Sequence, residues 1–378
     1  MPNFKHIVNT PYTSTFRSKK IEGMFDLTVG DELTKEWNVD IPVNLEDDWQ
    51  IGVIVGPSGS GKTTIGKRLF GEEYYHTGFN DWHYDKSIVD NFDDDLTTEE
   101  ITLLLSSVGF SSPPSWLQPF HTLSNGQKFR VEMARILSEK DKMTVVDEFT
   151  SVVDRNVAKI GSYAIQKSVR KTNKKLVLLS CHYDVLEWLC PDWVYHVDTG
   201  LFTKELLRRP SIDIEIKRCH RSTWRLFREH HYLSHSIAPG AQCYVAFVNG
   251  EPAAFYSVIL FGMSRLKTIR GHRLVVLPDY QGIGLGNILS KRIMRYYTEQ
   301  GFIFNMITSH PALIAARCKD PDLRLTSKID HKINSEELNR ELFKSSSRLT
   351  ASFQYIGNRN ELFEKYSTRR QNLGIKDE

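Results

Sequence analysis

Apolar positions along this chain follow two successive patterns. In the first, Ile51–Val55, Met143–Val146 and residues 176–179 are short continuous apolar runs, the form taken by strands buried on both faces of a parallel sheet. Helix-period segments at residues 129–138 and 156–169 lie between them, so buried strands alternate with helices and predict an α/β sheet. Residues 90–100 are acidic and loop-like ahead of a helix over about 98–108, with Thr97 or Thr98 as its cap. Residues 1–50 mix short β-like stretches with polar turns.

Past Arg208-Arg209-Pro210 the order changes, Pro210 discouraging any helix from continuing. Residues 212–216 alternate as a strand and 222–231 carry a helical pattern. Residues 243–248 and 253–261 read as a hairpin around Asn249-Gly250. A strand at 274–277, a helix over about 285–300 and a strand at 302–307 follow, and a polar tail starts near Asn358. No internal repeat is evident.

Length and composition narrow the class. A chain of 378 residues, 40% hydrophobic and 25% charged, has room for two or three ordinary globular domains. No run approaches the ~18 uninterrupted apolar residues of a membrane span, and the first residues do not read as a signal peptide. The five cysteines, Cys181, Cys190, Cys219, Cys243 and Cys318, are odd in number and scattered without zinc-like spacing. They read as small buried hydrophobes in a reducing cytoplasm. The net charge of +3 hides an asymmetry: residues 211–378 carry 25 Lys+Arg against 16 Asp+Glu, +9, which leaves −6 for the rest. A basic half can meet nucleic acid or a polyanionic cofactor, and it can equally be a set of solvated helix faces.

Two glycine loops carry the chemistry. Gly56-Pro57-Ser58-Gly59-Ser60-Gly61-Lys62-Thr63 follows the first apolar strand and enters a helix pattern. Such a loop wraps phosphates in backbone N–H groups, with Thr64 next in line, Lys62 reaching the β and γ oxygens and the Thr63 hydroxyl ligating Mg²⁺. Downstream, Leu123-Ser124-Asn125-Gly126-Gln127 resembles the signature of ABC-type ATPases, Asp147-Glu148 their Walker B end, Ser151–Asp154 their D-loop, and His182 their switch histidine. The resemblance covers about residues 40–200 and implies ATP as ligand. It gives Asp147 the Mg²⁺ role, Glu148 the orientation of the attacking water, and His182 a contact to the γ-phosphate. It also implies a head-to-tail homodimer, in which Ser124 and Gly126 complete the partner's site. Two departures stand out: Asn125 replaces a signature glycine, and no coupling glutamine is evident between Lys62 and Ser124. With no membrane segment, a transporter subunit is the weaker reading.

The second loop, Gln281-Gly282-Ile283-Gly284-Leu285-Gly286, resembles motif A of the GNAT acyltransferases, whose loop holds the pyrophosphate of acetyl-CoA or another acyl-CoA. Strand, helix, hairpin, strand before it and a long helix after it agree with that family. His272, just before the strand into the loop, is the candidate base, with a plain surface residue as the alternative. His310 and Arg317 are candidate substrate contacts. His231 and His235 share a face if their segment is helical, and could bind a metal beside Tyr232 or simply pack on the sheet. That His-Tyr pair is similar to the Mom-like phage branch of the superfamily, which modifies adenine in DNA.

The expectation is therefore an α/β protein with an ABC-type ATPase domain over 1–208, a GNAT-like acyltransferase domain over 211–357 and a tail over 358–378. Its function would be ATP-driven acyl transfer to an amine, with nucleic acid as acceptor. The alternative from another class is an ATP-gated sensor or defence factor whose second half binds a ligand without turnover.

Overall fold

The computed structural model describes residues 4–9, 12–26, 34–44, 46–204, 212–232, 234–261, 267–329 and 350–357. The expected linker at Arg208-Arg209-Pro210 and the tail from Asn358 lie outside these residues. The chain forms two compact units, each assembled from two stretches: Met1–Asp81 with Ile136–Pro210, and Trp82–Arg135 with Ser211–Glu378. Compactness thus groups residues 82–135, signature included, with the C-terminal stretch, whereas a linear division at 208 leaves them with the first.

In the first unit β1 (Phe4–Asn9) and β2 (Thr34–Val39) make an antiparallel ribbon. The main sheet runs β4 (Tyr75–His76), β5 (Met143–Val146), β6 (Lys175–Ser180), β3 (Ile51–Val55), β7 (Trp193–His196), β8 (Leu201–Thr203). Every neighbouring pair is parallel except β7 with β8. All five residues of β3 are buried, as its unbroken apolar run requires. Because β5, β6 and β3 are consecutive and parallel, the segments leaving their C-terminal ends share one edge, where open α/β sheets bind ligands. Helix Lys62–Phe70 follows β3 and buries Ile65, Gly66 and Phe70. Helix Arg155–Val169 starts on Asp154, whose carboxylate accepts from Asn156 and Val157 N–H at 3.0 Å.

The second unit is built on a seven-stranded sheet. Its order is β14 (Leu323–Ile329), β15 (Thr350–Tyr355), β13 (Ile303–Thr308), β12 (Thr268–Val276), β11 (Glu251–Phe261), β10 (Gln242–Val248), β9 (Ile214–Cys219). Only β12 and β13 run parallel, and they pair for just three residues, Thr268–Arg270 against Ile303–Asn305, before separating. Period-two alternation divides the core: Tyr244, Ala246 and Val248 face helix Leu285–Glu299, while Cys243 and Val245 face Trp224 and Phe227. Residues 82–135 contribute helix Thr98–Ser107, closed by a Thr97–Glu100 capping box, and the start of helix Asn125–Ser138.

Three expected elements differ. The signature helix begins at Asn125, four residues before its apolar period, because Ser124 and Gln127 cap one another, Ser124 N–H donating to Gln127 Oε1 at 2.9 Å. Residues 222–231 are two 3₁₀ turns, Arg221–Leu226 and Arg228–His230, not an α-helix. The tighter turn places Trp224 and Phe227, three apart, on the same side against Phe255. β12 starts at Thr268 rather than 274, and its register passes from Ser257↔Arg273 to Val258↔Gly271, leaving His272 as the extra residue of a β-bulge.

Gly52 is the tightest point of the first sheet, since a Cβ there would lie 1.9 Å from the Trp193 ring. Gly52→Ala should lower the urea midpoint of this unit, by about 1–3 kcal/mol in stability; an unchanged midpoint would mean Trp193 can move aside.

Candidate functional site

The two glycine loops adopt nearly the same backbone. In the first, Gly59 and Gly61 have φ of 75° and 90°, and Gly61, at ψ 13°, immediately precedes helix Lys62–Phe70. In the second, Gly282 and Gly284 have φ of 89° and 90°, and Gly284, at ψ 12°, immediately precedes helix Leu285–Glu299. Such left-handed values favour glycine strongly. Neither helix start is capped by a side chain, so the first-turn N–H groups remain directed outward as an anion-binding nest.

Around the first loop the sequence-expected residues Gly56, Ser58, Gly59, Gly61, Lys62, Thr63 and Thr64 come together with those leaving β5 and β6. Lys62 Nζ donates to the carbonyls of Gly56 and Pro57, both at 2.8 Å, which folds the ammonium back over the loop. Thr63 Oγ1 donates to Asp147 Oδ2 at 2.6 Å. These two oxygens converge as a hard-cation donor pair, so the residues present fit Mg²⁺. Tyr75, which nothing in the sequence marked, also donates to Asp147 Oδ2, and burial raises its phenol well above the usual range. Glu148 follows in a left-handed conformation, φ 49°, exposed and held by its own N–H to Asp147 Oδ1 at 2.8 Å. A positive φ on glutamate is strain that a sheet edge must hold in place. His182 leaves β6 with its N–H on Ser180 Oγ at 3.1 Å. Ser124 and Gly126 belong to the second unit, at the start of the signature helix.

The second loop is tied to that same helix. Arg130, 3% exposed, spends its guanidinium on backbone carbonyls: Nη1 donates to Val108, Gly109 and Gln281, and Nη2 to Asp279, each at 3.2 Å. Ser111 N–H donates to Gln281 Oε1 at 2.8 Å, while Gln281 Nε2 reaches the Val276 carbonyl at 3.0 Å. Gly109 comes so close that a Cβ would sit 2.6 Å from the Gln281 carbonyl oxygen. Arg130 lies on the helix that opens with the signature, and its bonds to the second loop depend on a long-range approach that no local spacing encodes.

The candidate histidines separate. His272 Nε2 accepts from Ala238 N–H at 3.2 Å, so its neutral ring carries the proton on Nδ1 and offers no free lone pair. Burial, with Arg273 and Arg270 nearby, pulls its pKa down to about 4. His231 is buried, its Nδ1 accepting from Ser234 N–H at 3.4 Å, and burial lowers it likewise to about 4. His235 is exposed and lies 3.9 Å from Glu229. The helical face that would have paired His231 with His235 is absent, and no group of three metal-ligating side chains occurs among the described residues. His310 and Arg317 are both buried, at either end of helix Pro311–Cys318, with His310 as N-cap residue.

Comparison with known proteins agrees with both halves. Residues 203–317 match the acetyltransferase (GNAT) family. An energy-coupling factor transporter ATP-binding protein of Leuconostoc mesenteroides is 26% identical over 211 residues, 44% of this chain and 72% of that one. A methionine import ATP-binding protein of Paraburkholderia xenovorans is 28% identical over 186 residues, 49% of this chain and 47% of that one. The chain thus spans about half the length of the latter relative. Among solved structures, an ATP-binding cassette bound to ADP and Pi matches at 16% identity and TM-score 0.36, over 48% of this chain and 95% of that one. An acetyltransferase from Bacillus cereus matches at 19% and 0.28, over 38% and 99%; scores this low carry no argument. The mixed α/β chain thus carries a match to the GNAT acetyltransferase family at residues 203–317 and similarity to ABC ATP-binding proteins over its N-terminal half. No described helix is long and apolar enough to cross a membrane.

The Arg130 bonds yield a direct test. A lysine ammonium cannot serve four carbonyls, so Arg130→Lys should speed amide exchange across residues 279–286 about tenfold, the equivalent of one to two lost hydrogen bonds. Unchanged exchange would show that the loop holds itself.

Proposed function

We propose that the protein hydrolyses ATP at its ABC module and transfers an acyl group from an acyl-CoA to an amine at its GNAT module, working as a cytoplasmic homodimer on nucleic acid. The observation that carries this reading is the repeated left-handed glycine nest, one at the head of each module's loop helix.

At the first nest, backbone N–H groups cradle the β and γ phosphates and Lys62 swings from its carbonyl partners onto them. Thr63 and Asp147 would hold Mg²⁺, which when bound would neutralise charge on the phosphates. Glu148 orients the attacking water and His182 meets the γ-phosphate. The N-terminus of the partner's signature helix, with Ser124 and Gly126, supplies positive dipole from the far side. At the second nest, Gln281, Gly282, Gly284 and Gly286 hold the acyl-CoA pyrophosphate. His272 serves as base only once its bond from Ala238 N–H opens. The excess of +9 over residues 211–378 favours a polyanionic acceptor.

That engaged lone pair also favours the second reading, a GNAT module that binds its ligand without turnover. Calorimetry with acetyl-CoA followed by a transfer assay separates the two. Turnover onto DNA or RNA, seen as added mass after nuclease digestion, supports acyl transfer, while binding without any product supports the sensor. Gly284→Glu places a carboxylate and a Cβ where φ is 90° and should abolish acetyl-CoA binding. If binding survives that change, the second nest is misassigned.

Lys62→Ala and Glu148→Gln should each reduce ATP turnover by at least ~10²-fold, Glu148→Gln keeping ATP binding. Full turnover in either variant would remove that residue from the site. If His272 is the base, the acid limb of kcat/KM should fall near pH 4 instead of 6.5, because burial disfavours the imidazolium and the ring stays neutral down to that pH.

A further inference from the structure

Helix Pro311–Cys318 buries a polar stripe that the acyl-CoA loop does not use. His310, Ile314 and Arg317 recur at spacings of four and three, so they share one face. Ile314 belongs to the core cluster that contains Tyr256 of β11, which places the stripe against that side of the sheet. Arg317 is 5% exposed, Tyr256 3% and His310 9%.

Each of the three keeps a buried polar atom without a partner among the described residues: Arg317 Nε, the Tyr256 hydroxyl and His310 Nδ1. The other His310 nitrogen, Nε2, donates to the Ser111 carbonyl at 2.9 Å, which fixes the lone pair on Nδ1. Nearby carboxylates are committed elsewhere, since Asp320 and Asp322 hold Lys291 Nζ at 3.0 and 2.7 Å. Arg317 feels the Tyr256 and Tyr232 phenols but forms no ion pair among the described residues. Arg317 also borders a small cleft between helices Leu285–Glu299 and Pro311–Cys318, beside Asn287, Ser290, Lys291 and Asp320.

A buried guanidinium without a counterion is costly, far more so than the packing of its stem returns. We propose that Arg317 and Tyr256 form a pocket for a single carboxylate on the substrate of the acyltransferase module. One guanidinium charge balances one carboxylate, and the phenol, held neutral, adds a second donor. Phosphate carries about −1.5 to −2 at neutral pH, so it would leave buried charge unmatched beside the single guanidinium. The carboxylate sits either on the acyl chain of the CoA thioester or on the acceptor. The assignment of the module to acyl transfer enters only in naming these two sources.

Thermal unfolding of the whole protein tests the pocket, with Arg317→Met as the near-isosteric neutral variant. Without added anion the variant should melt about 2–4 °C above wild type, because an unpaired buried charge has gone. Millimolar succinate, at constant ionic strength, should raise the wild-type midpoint and leave the variant's in place, while phosphate and chloride should do neither. A variant that melts lower without anion, or succinate shifting both proteins equally or neither, overturns the pocket. Calorimetry then separates the sources. Succinyl-CoA binding at least ~10-fold tighter than acetyl-CoA in wild type, one charge-assisted bond in size, with the gap closed in Arg317→Met, places the carboxylate on the acyl chain. Equal affinities alongside the succinate shift place it on the acceptor. Loss of all CoA binding with the succinate shift intact would sink the acyltransferase reading and leave the pocket standing.

Discussion

Both modules depend on one backbone constraint: a strand must turn into a helix while its N–H groups converge on a point outside the chain. Only left-handed residues achieve this in so few steps, and both loops meet it with two of them separated by one residue, Gly59 and Gly61, then Gly282 and Gly284. The surrounding packing follows from that turn. Gly66 brings the first loop helix close enough for a Cβ to lie 3.0 Å from Leu179, and Gly286 brings the second to 3.2 Å from Val276. Each helix is therefore pressed onto its own sheet close to where its N-terminus must point.

A second constraint acts through charge. Arg130 cannot lose its proton, and it is buried, so its donors must be met by the chain. They are met by carbonyls from residues 108, 109, 279 and 281, which draws the signature segment and the Gln281–Gly286 loop into one compact unit. A helix that follows Ser124 and carries Gly126 in its first turn thereby holds, about one turn further on, the carbonyl of Gln281.

Much of this was legible in the sequence because it is local. Continuous apolar runs located β3 and β5, and the glycine spacings located both nests, since each signal lies within about ten residues. The misread segments are those decided at a distance. Residues 222–231 have helical periodicity, yet Trp224 and Phe227 settle against Phe255 through 3₁₀ turns, which undid the proposed His231–His235 face. The bulge at His272 is visible only once β11 supplies its register. Tyr75 meets Asp147 across parallel strands, 72 positions apart, and Ser111 meets His310 across 199. His310 and Arg317 could be singled out from their place after β13, but not the fact that their buried atoms lack partners.

Arg130 and Arg317 meet the same cost of burial in opposite ways. The two guanidinium groups are about equally buried, at 3% and 5% exposure. The chain surrounds Arg130 with carbonyls and so uses it for structure. Around Arg317 it offers a phenol and a histidine lone pair, while the nearby Asp320 and Asp322 are paired with Lys291. Protein interiors satisfy nearly all buried polar atoms, so a place where three adjacent side chains all fall short is where a ligand's own groups complete the account. The His310–Arg317 stripe therefore keeps polar atoms open to a ligand, whereas the chain has already engaged the basic nitrogen of His272.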